Sequence, residues 1–139
     1  GVVAERTMFW GEGWYGGHTG KAMSESRKQW FLAEGEASFF DTYILLANPN
    51  ATAAAVQARY LLPGGEVVVK TYQVAANARF TISVNTEDPR LARTPVSTTL
   101  TSTNGVAILA ERAMWWPAPV WSGRVWKGTR LSQSRSACQ

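Results

Sequence analysis

The chain of 139 residues contains one cysteine, Cys138, next to its C-terminus, and one histidine, His18. A single thiol excludes an internal disulfide framework and any multi-cysteine zinc site. A lone histidine with no cysteine nearby falls short of a usual transition-metal ligand set. No serine sits in a nucleophile-elbow context that would let His18 complete a Ser-His-Asp arrangement. No metal and no cofactor is therefore expected.

Long apolar runs are missing as well. None approaches 18 residues, so no transmembrane helix and no membrane insertion are expected. The first residues lack the basic-then-apolar order of a signal peptide. If the protein is secreted, its signal has been removed or lies upstream.

The net charge of +4 is not spread over the chain. Residues 1–123 hold ten Lys/Arg and ten Asp/Glu, which cancel, and the excess comes from Arg124, Lys127, Arg130 and Arg135. A neutral body with a short basic tail lacks the clustered basic face of a phosphate-binding surface, so no nucleic-acid partner is expected. With 45% hydrophobic and 17% charged residues, the composition is that of one globular domain with a lightly charged surface.

What is present is a strand pattern. In "AAAVQARYLL", Val56, Ala58, Tyr60 and Leu62 fall on one face and Gln57 and Arg59 on the other. Pro63-Gly64-Gly65 then turns the chain onto "EVVVKTYQV". "FFDTYILLANPN" is an apolar run closed by a turn at Asn48-Pro49-Asn50. In "ARFTISVN" the alternation puts Phe80, Ile82 and Val84 inward, and the Asn104-Gly105 pair predicts a hairpin between two further strands. Residues 11–29, rich in Gly and polar residues, read as an irregular loop, with at most one helical turn at "SESRKQW". The expected fold is an all-β, antiparallel, immunoglobulin-like β-sandwich of about seven to nine strands. Residues 30–123 form its core, residues 1–29 are the end of a preceding unit plus a Gly-aromatic loop, and residues 124–139 are a loosely held tail.

One phrase occurs twice. "AERTMFWGEGWYGG" at 4–17 is echoed by "AERAMWWPAPVWSG" at 110–123 at a constant offset of 106 residues. That offset pairs Glu5 with Glu111, Arg6 with Arg112, Met8 with Met114 and Trp10 with Trp116. A period near one hundred residues is the length of a β-sandwich domain, so the chain reads as one unit plus the overlapping end of a neighbour.

The motifs "WFLAEG" at 30–35, "FDTYILLANPN" at 40–50, Tyr72 to Asn85 and "AERAMWW" at 110–116 carry a resemblance over residues 3–126. Together they are similar to a tandem repeat of large secreted or surface proteins of environmental bacteria. The resemblance implies a non-enzymatic extracellular or cell-surface module for adhesion, display or spacing, whose partners are neighbouring repeats or copies of itself. It supplies no catalytic residues. The Gly16-Gly17-His18 ending becomes Ser122-Gly123-Arg124 in the second copy, as expected of a terminal or truncated repeat.

Two other readings stay open. Six of the seven Trp lie outside the central body, and Trp14, Tyr15, His18, Trp121 and Trp126 would suit a carbohydrate platform, where flat rings stack on sugars. Polysaccharide would then be the partner. Against it, Met-aromatic phrases also pack repeats together. The third reading is a small glycan hydrolase using Glu34 and Asp41 as paired carboxylates. Glu5 and Glu111, each beside an Arg, are expected to form structural ion pairs with residues on neighbouring strands.

Overall fold

The computed structural model describes residues 2–10 and 16–115. Among these, nine strands run in order: β1 (Glu5–Trp10), β2 (Gly16–Lys21), β3 (Gln29–Leu32), β4 (Asp41–Asn48), β5 (Ala54–Leu61), β6 (Val67–Val74), β7 (Ala78–Ser83), β8 (Ser97–Ser102) and β9 (Leu109–Trp115). One short helix, α1 (Val84–Glu87), and a 3-10 turn at Pro89–Leu91 separate β7 from β8. Strands β3-β8-β5-β6 make a four-stranded sheet and β7-β4-β9 a three-stranded one, while β1 and β2 pair only with each other. Every pairing is antiparallel. The division into four and three strands is that of a seven-stranded sandwich, and the expected all-β class is the fold.

Period-two patterning decides which residues enter the core. On β4 the inward set is Thr42, Ile44, Leu46 and Asn48; on β5 it is Ala54, Val56, Ala58 and Tyr60. Leu100 of β8, Val68 and Val74 of β6 and Ile82 of β7 complete one cluster between the sheets. Each fully buried Val, Leu or Ile contributes about 1.5–3 kcal/mol. The Pro63-Gly64-Gly65 turn joins β5 to β6 as expected, with φ of 88° at Gly64 and 90° at Gly65, where a side chain would strain the backbone.

Three asparagines, one of them buried, tie the loops to this core. Asn48, 1% exposed, donates to the carbonyls of Thr52 and Val74 and accepts from Asn50 N, while Asn50 Nδ2 reaches Ala107 O. The Asn-Pro-Asn turn is thus also a clamp between the ends of β4 and β6 and the approach to β9. Asn85 does the same at the other end of β4, accepting from Thr42 N and donating to the carbonyls of Ala37 and Phe40.

Three local expectations are corrected. Residues 16–21 are not loop but β2, paired with β1 from Glu5↔Lys21 to Trp10↔Gly16. At residues 24–30 the chain forms no helical turn, within the limit of one expected there; Arg27 bridges Ile108 and Gln29 opens β3, and the helical turns lie at 84–91. Asn104-Gly105 does turn the chain, with Gly105 at φ 79°, but β8 and β9 lie in opposite sheets, so it is a crossing rather than a hairpin. The Asn104 side chain is spent on the neighbouring loop, accepting from Ala55 N and donating to Ala53 O. On β7, Ile82 is buried as expected and Phe80 is 38% exposed.

Candidate functional site

The two terminal strands of the sandwich, β3 and β9, are edge strands of opposite sheets, and the residues leading into them, Arg27 and Ile108, form a β-bridge, a seam between the two sheets. Trp30 Nε1 donates to Ile108 O at 2.9 Å, and four residues further along the chain from each, Glu34 of the β3–β4 loop lies 3.7 Å from Arg112 of β9. Gly35 holds the β3–β4 loop against the β7–β8 connection: its carbonyl accepts from Val96 N at 2.8 Å, and a Cβ there would stand 2.6 Å from Val96 O.

Arg112 is the chemically distinctive group of the seam. Alternation on β9 puts it on the same face as Ala110 and Met114, both buried, and directly opposite Ile44 of β4. Its side chain is 7% exposed, and Nε has no hydrogen-bond partner among the described residues. Its partner Glu34 is 65% exposed and, at 3.7 Å, beyond hydrogen-bond length. Burial among apolar neighbours pulls the guanidinium pKa below its ordinary value, and the Glu34 carboxylate offsets only part of that. A charge taken out of water costs several kcal/mol unless it is paired and hydrogen-bonded. Arg112 is only partly compensated.

A cleft of about 570 Å³ lies between the β1–β2 hairpin and the three-stranded sheet. Glu5, Arg6, Arg79 and Glu111 line it together with the apolar Leu45 and Leu109. Its size falls within the range of small-ligand pockets. Among the described side chains no ion pair of Glu5 or Glu111 is found, and in the β1–β2 ladder Glu5 stands opposite Lys21. The carboxylate that meets Arg112 is Glu34, from a loop rather than from the neighbouring strand. Signal for this was present, because period two puts Arg112 on the Ala110–Met114 face, where a charge needs an explanation.

Of the residues singled out for chemistry, Glu34 is thus at the seam, and Asp41 opens β4 opposite Trp115. His18 falls on β2 opposite Met8. Trp14, Tyr15, Trp121 and Trp126 lie outside the described residues. Among the described residues no group of three His, Cys, Asp or Glu is placed to hold a metal ion, and no helix is long and apolar enough to cross a membrane.

No family model and no curated protein sequence matches the chain. Solved structures do. The Anabaena sensory rhodopsin transducer aligns with TM-score 0.55 and 18% identity over 66% of this chain and 91% of its own. Thermotoga maritima protein 1070 aligns with TM-score 0.59 and 13% identity over 67% and 83%. At these identities the likeness is one of fold alone.

Proposed function

We propose that the chain is a non-enzymatic β-sandwich repeat module with a structural or adhesive role outside the cell, and that β1 and β2 are the closing hairpin of the unit before it. The observation that supports this is the contrast between the two copies of the Ala-Glu-Arg phrase. In β9, Ala110 and Arg112 face the core; their equivalents, Ala4 just before β1 and Arg6 within it, are exposed. A strand that carries an inward-facing pattern and has no sandwich strand beside it is a strand away from its own sheet. In a preceding unit, β1 would lie beside that unit's copy of β4 and bury this face.

The same reading includes assembly by strand exchange between copies. Because β1 is already paired with β2, the hairpin rather than a single strand is the piece exchanged. Its place beside β4 is held by β9, so exchange requires β9 to leave.

The test is a two-unit chain in which residues 16–109 are placed directly upstream of Ala4, so that residues 4–10 continue a complete sandwich in register. Amide hydrogen exchange at Glu5–Trp10 is expected to slow strongly in the two-unit chain relative to the single chain. Equal exchange in both would end the tandem reading. Light scattering of the single chain with and without residues 1–21 checks the exchange; assembly that survives the deletion is not hairpin exchange.

A further inference from the structure

The burial of Arg112 is not accounted for by its surroundings. A purely structural ion pair closes to hydrogen-bond distance and covers both partners. Here the carboxylate of Glu34 stays in solvent, 3.7 Å from one terminal nitrogen, and Nε is buried with no acceptor among the described residues. Buried polar atoms without partners are rare enough in folded proteins to require a reason. Of the side chains on this face, Ala110 and Ile44 carry no acceptor, and the Thr42 hydroxyl, in register with Met114, gives its proton to Glu36 O and does not reach Nε.

We propose that the β3–β9 seam is a binding site for a small carboxylate anion, held side-on by Nε and a terminal nitrogen of Arg112, with Glu34 displaced into solvent to admit it. The guanidinium fork matches a planar carboxylate in two parallel hydrogen bonds, and this arrangement satisfies the orphaned Nε. Glu34 already occupies the edge of the seat with a group of the same chemistry, which makes it an internal competitor. One guanidinium with one opposing carboxylate suits a monoanion better than a phosphate dianion. The low dielectric around Ala110, Met114 and Ile44 strengthens such a bond once water is excluded. The inference does not depend on the tandem reading.

The test uses the full chain. The Arg112 Nε–H resonance is followed during titration with sodium acetate, sodium glucuronate and inorganic phosphate, at ionic strength held constant with sodium chloride. A saturable shift with the carboxylates, absent with chloride, is expected. Glu34→Gln removes the competitor and should tighten carboxylate binding by about threefold or more, as expected when a weak internal ion pair no longer has to be broken. Arg112→Met should fold, since an apolar side chain in place of a buried charge is often neutral or stabilising. It should also lose the carboxylate-dependent rise in melting temperature that a ligand confers on the native state.

Three results would overturn the proposal: no saturable shift with either carboxylate, equal thermal stabilisation of Arg112→Met, or phosphate binding more tightly than both carboxylates. If Arg112→Met does not fold, the resonance titration and the Glu34→Gln affinity decide by themselves.

Discussion

Trp30 and Ile108 join the first and last strands of the sandwich: the indole Nε1 of one donates to the backbone carbonyl of the other at 2.9 Å, 78 residues away in sequence. The same carbonyl accepts from Arg27 N at 2.9 Å, so the seam is fixed by a backbone and a side-chain bond converging on one oxygen. The half-buried Trp30 ring packs against the core cluster beneath it.

Replacing Trp30 with Phe keeps most of the apolar packing and removes the indole donor. Because Ile108 O retains its bond from Arg27, no buried acceptor is orphaned, and the cost should be only about 1 kcal/mol. Urea unfolding of the two chains measures it. A loss above about 3 kcal/mol would mean that the ring's packing, and not the bond, holds the seam.

Gly35 makes a sharper prediction. Its φ is not in the left-handed region; the constraint is the approach of Val96 O to within 2.6 Å of where a Cβ would stand. Backbone is on both sides, so Gly35→Ala must push the two loops apart and weaken the bond from Val96 N to Gly35 O. A destabilisation of about 1–3 kcal/mol is expected from such overpacking. Since Glu34 is the adjacent residue, the shift should also change the Arg112 Nε–H resonance. A stable variant with an unchanged resonance would refute the close approach.

The alternation of Val56, Ala58 and Tyr60 made β5 readable from residues alone, because a two-residue period has a physical consequence at every position. The turn at Gly64-Gly65 was readable for the same reason, since few residues adopt positive φ at low cost. Asn104-Gly105 misled because a tight turn says that the chain reverses, not which sheet the next strand joins. That choice was made by long-range partners, including the Asn104 bonds to Ala53 and Ala55. β2 was missed because "GGHTGK" has little apolar content of its own; β1 beside it supplies the ladder. The seam site was hidden differently. Arg112 was noticed only as the companion of Glu111, although the strand period separates the two onto opposite faces and sends Arg112 inward.

Asp88 sets a prediction at the acid end. Arg90 grips its carboxylate with two side-chain bonds, Nε to Oδ1 at 2.8 Å and Nη2 to Oδ2 at 2.9 Å, and Lys70 lies 3.5 Å away. Oδ1 also caps the 3-10 turn by accepting from Arg90 N. These bonds, led by the Arg90 side chain, hold the Asp88 carboxyl well below the usual carboxylate range. A depressed pKa gives stability that is present above the unfolded value near 4 and is lost as pH falls through the folded one. Asp88→Asn should therefore be less stable than the parent at pH 7, and the gap should narrow steadily as pH falls below about 4. Melting temperatures across that range check it. A gap independent of pH would show that the charge of Asp88 contributes nothing.

The alkaline end is governed by a hydrogen-bonded chain on the far side of the core. Tyr60 is fully buried, its hydroxyl lies 2.9 Å from that of Tyr72, and Tyr72 donates to Glu87 Oε2 at 2.8 Å. With the Tyr72 proton committed to Glu87, Tyr60 is the donor between the two rings. Burial raises the Tyr60 pKa to about 12, and burial together with bonds to Tyr60 and Glu87 raises that of Tyr72 as well. Raised pKa values mean stability that is complete below the unfolded value near 10 and is lost as pH climbs through the folded one. Unfolding should therefore set in between about pH 10 and about pH 12, with Tyr60 alone accounting for on the order of 2–3 kcal/mol. Tyr72→Phe breaks the chain to Glu87 and should make the alkaline decline shallower. Ring-carbon resonances of Tyr60 and Tyr72 should stay those of the neutral phenols until the circular dichroism of the sheets collapses. Ionisation of either ring in the intact fold below pH 11 would show that the chain does not hold its protons.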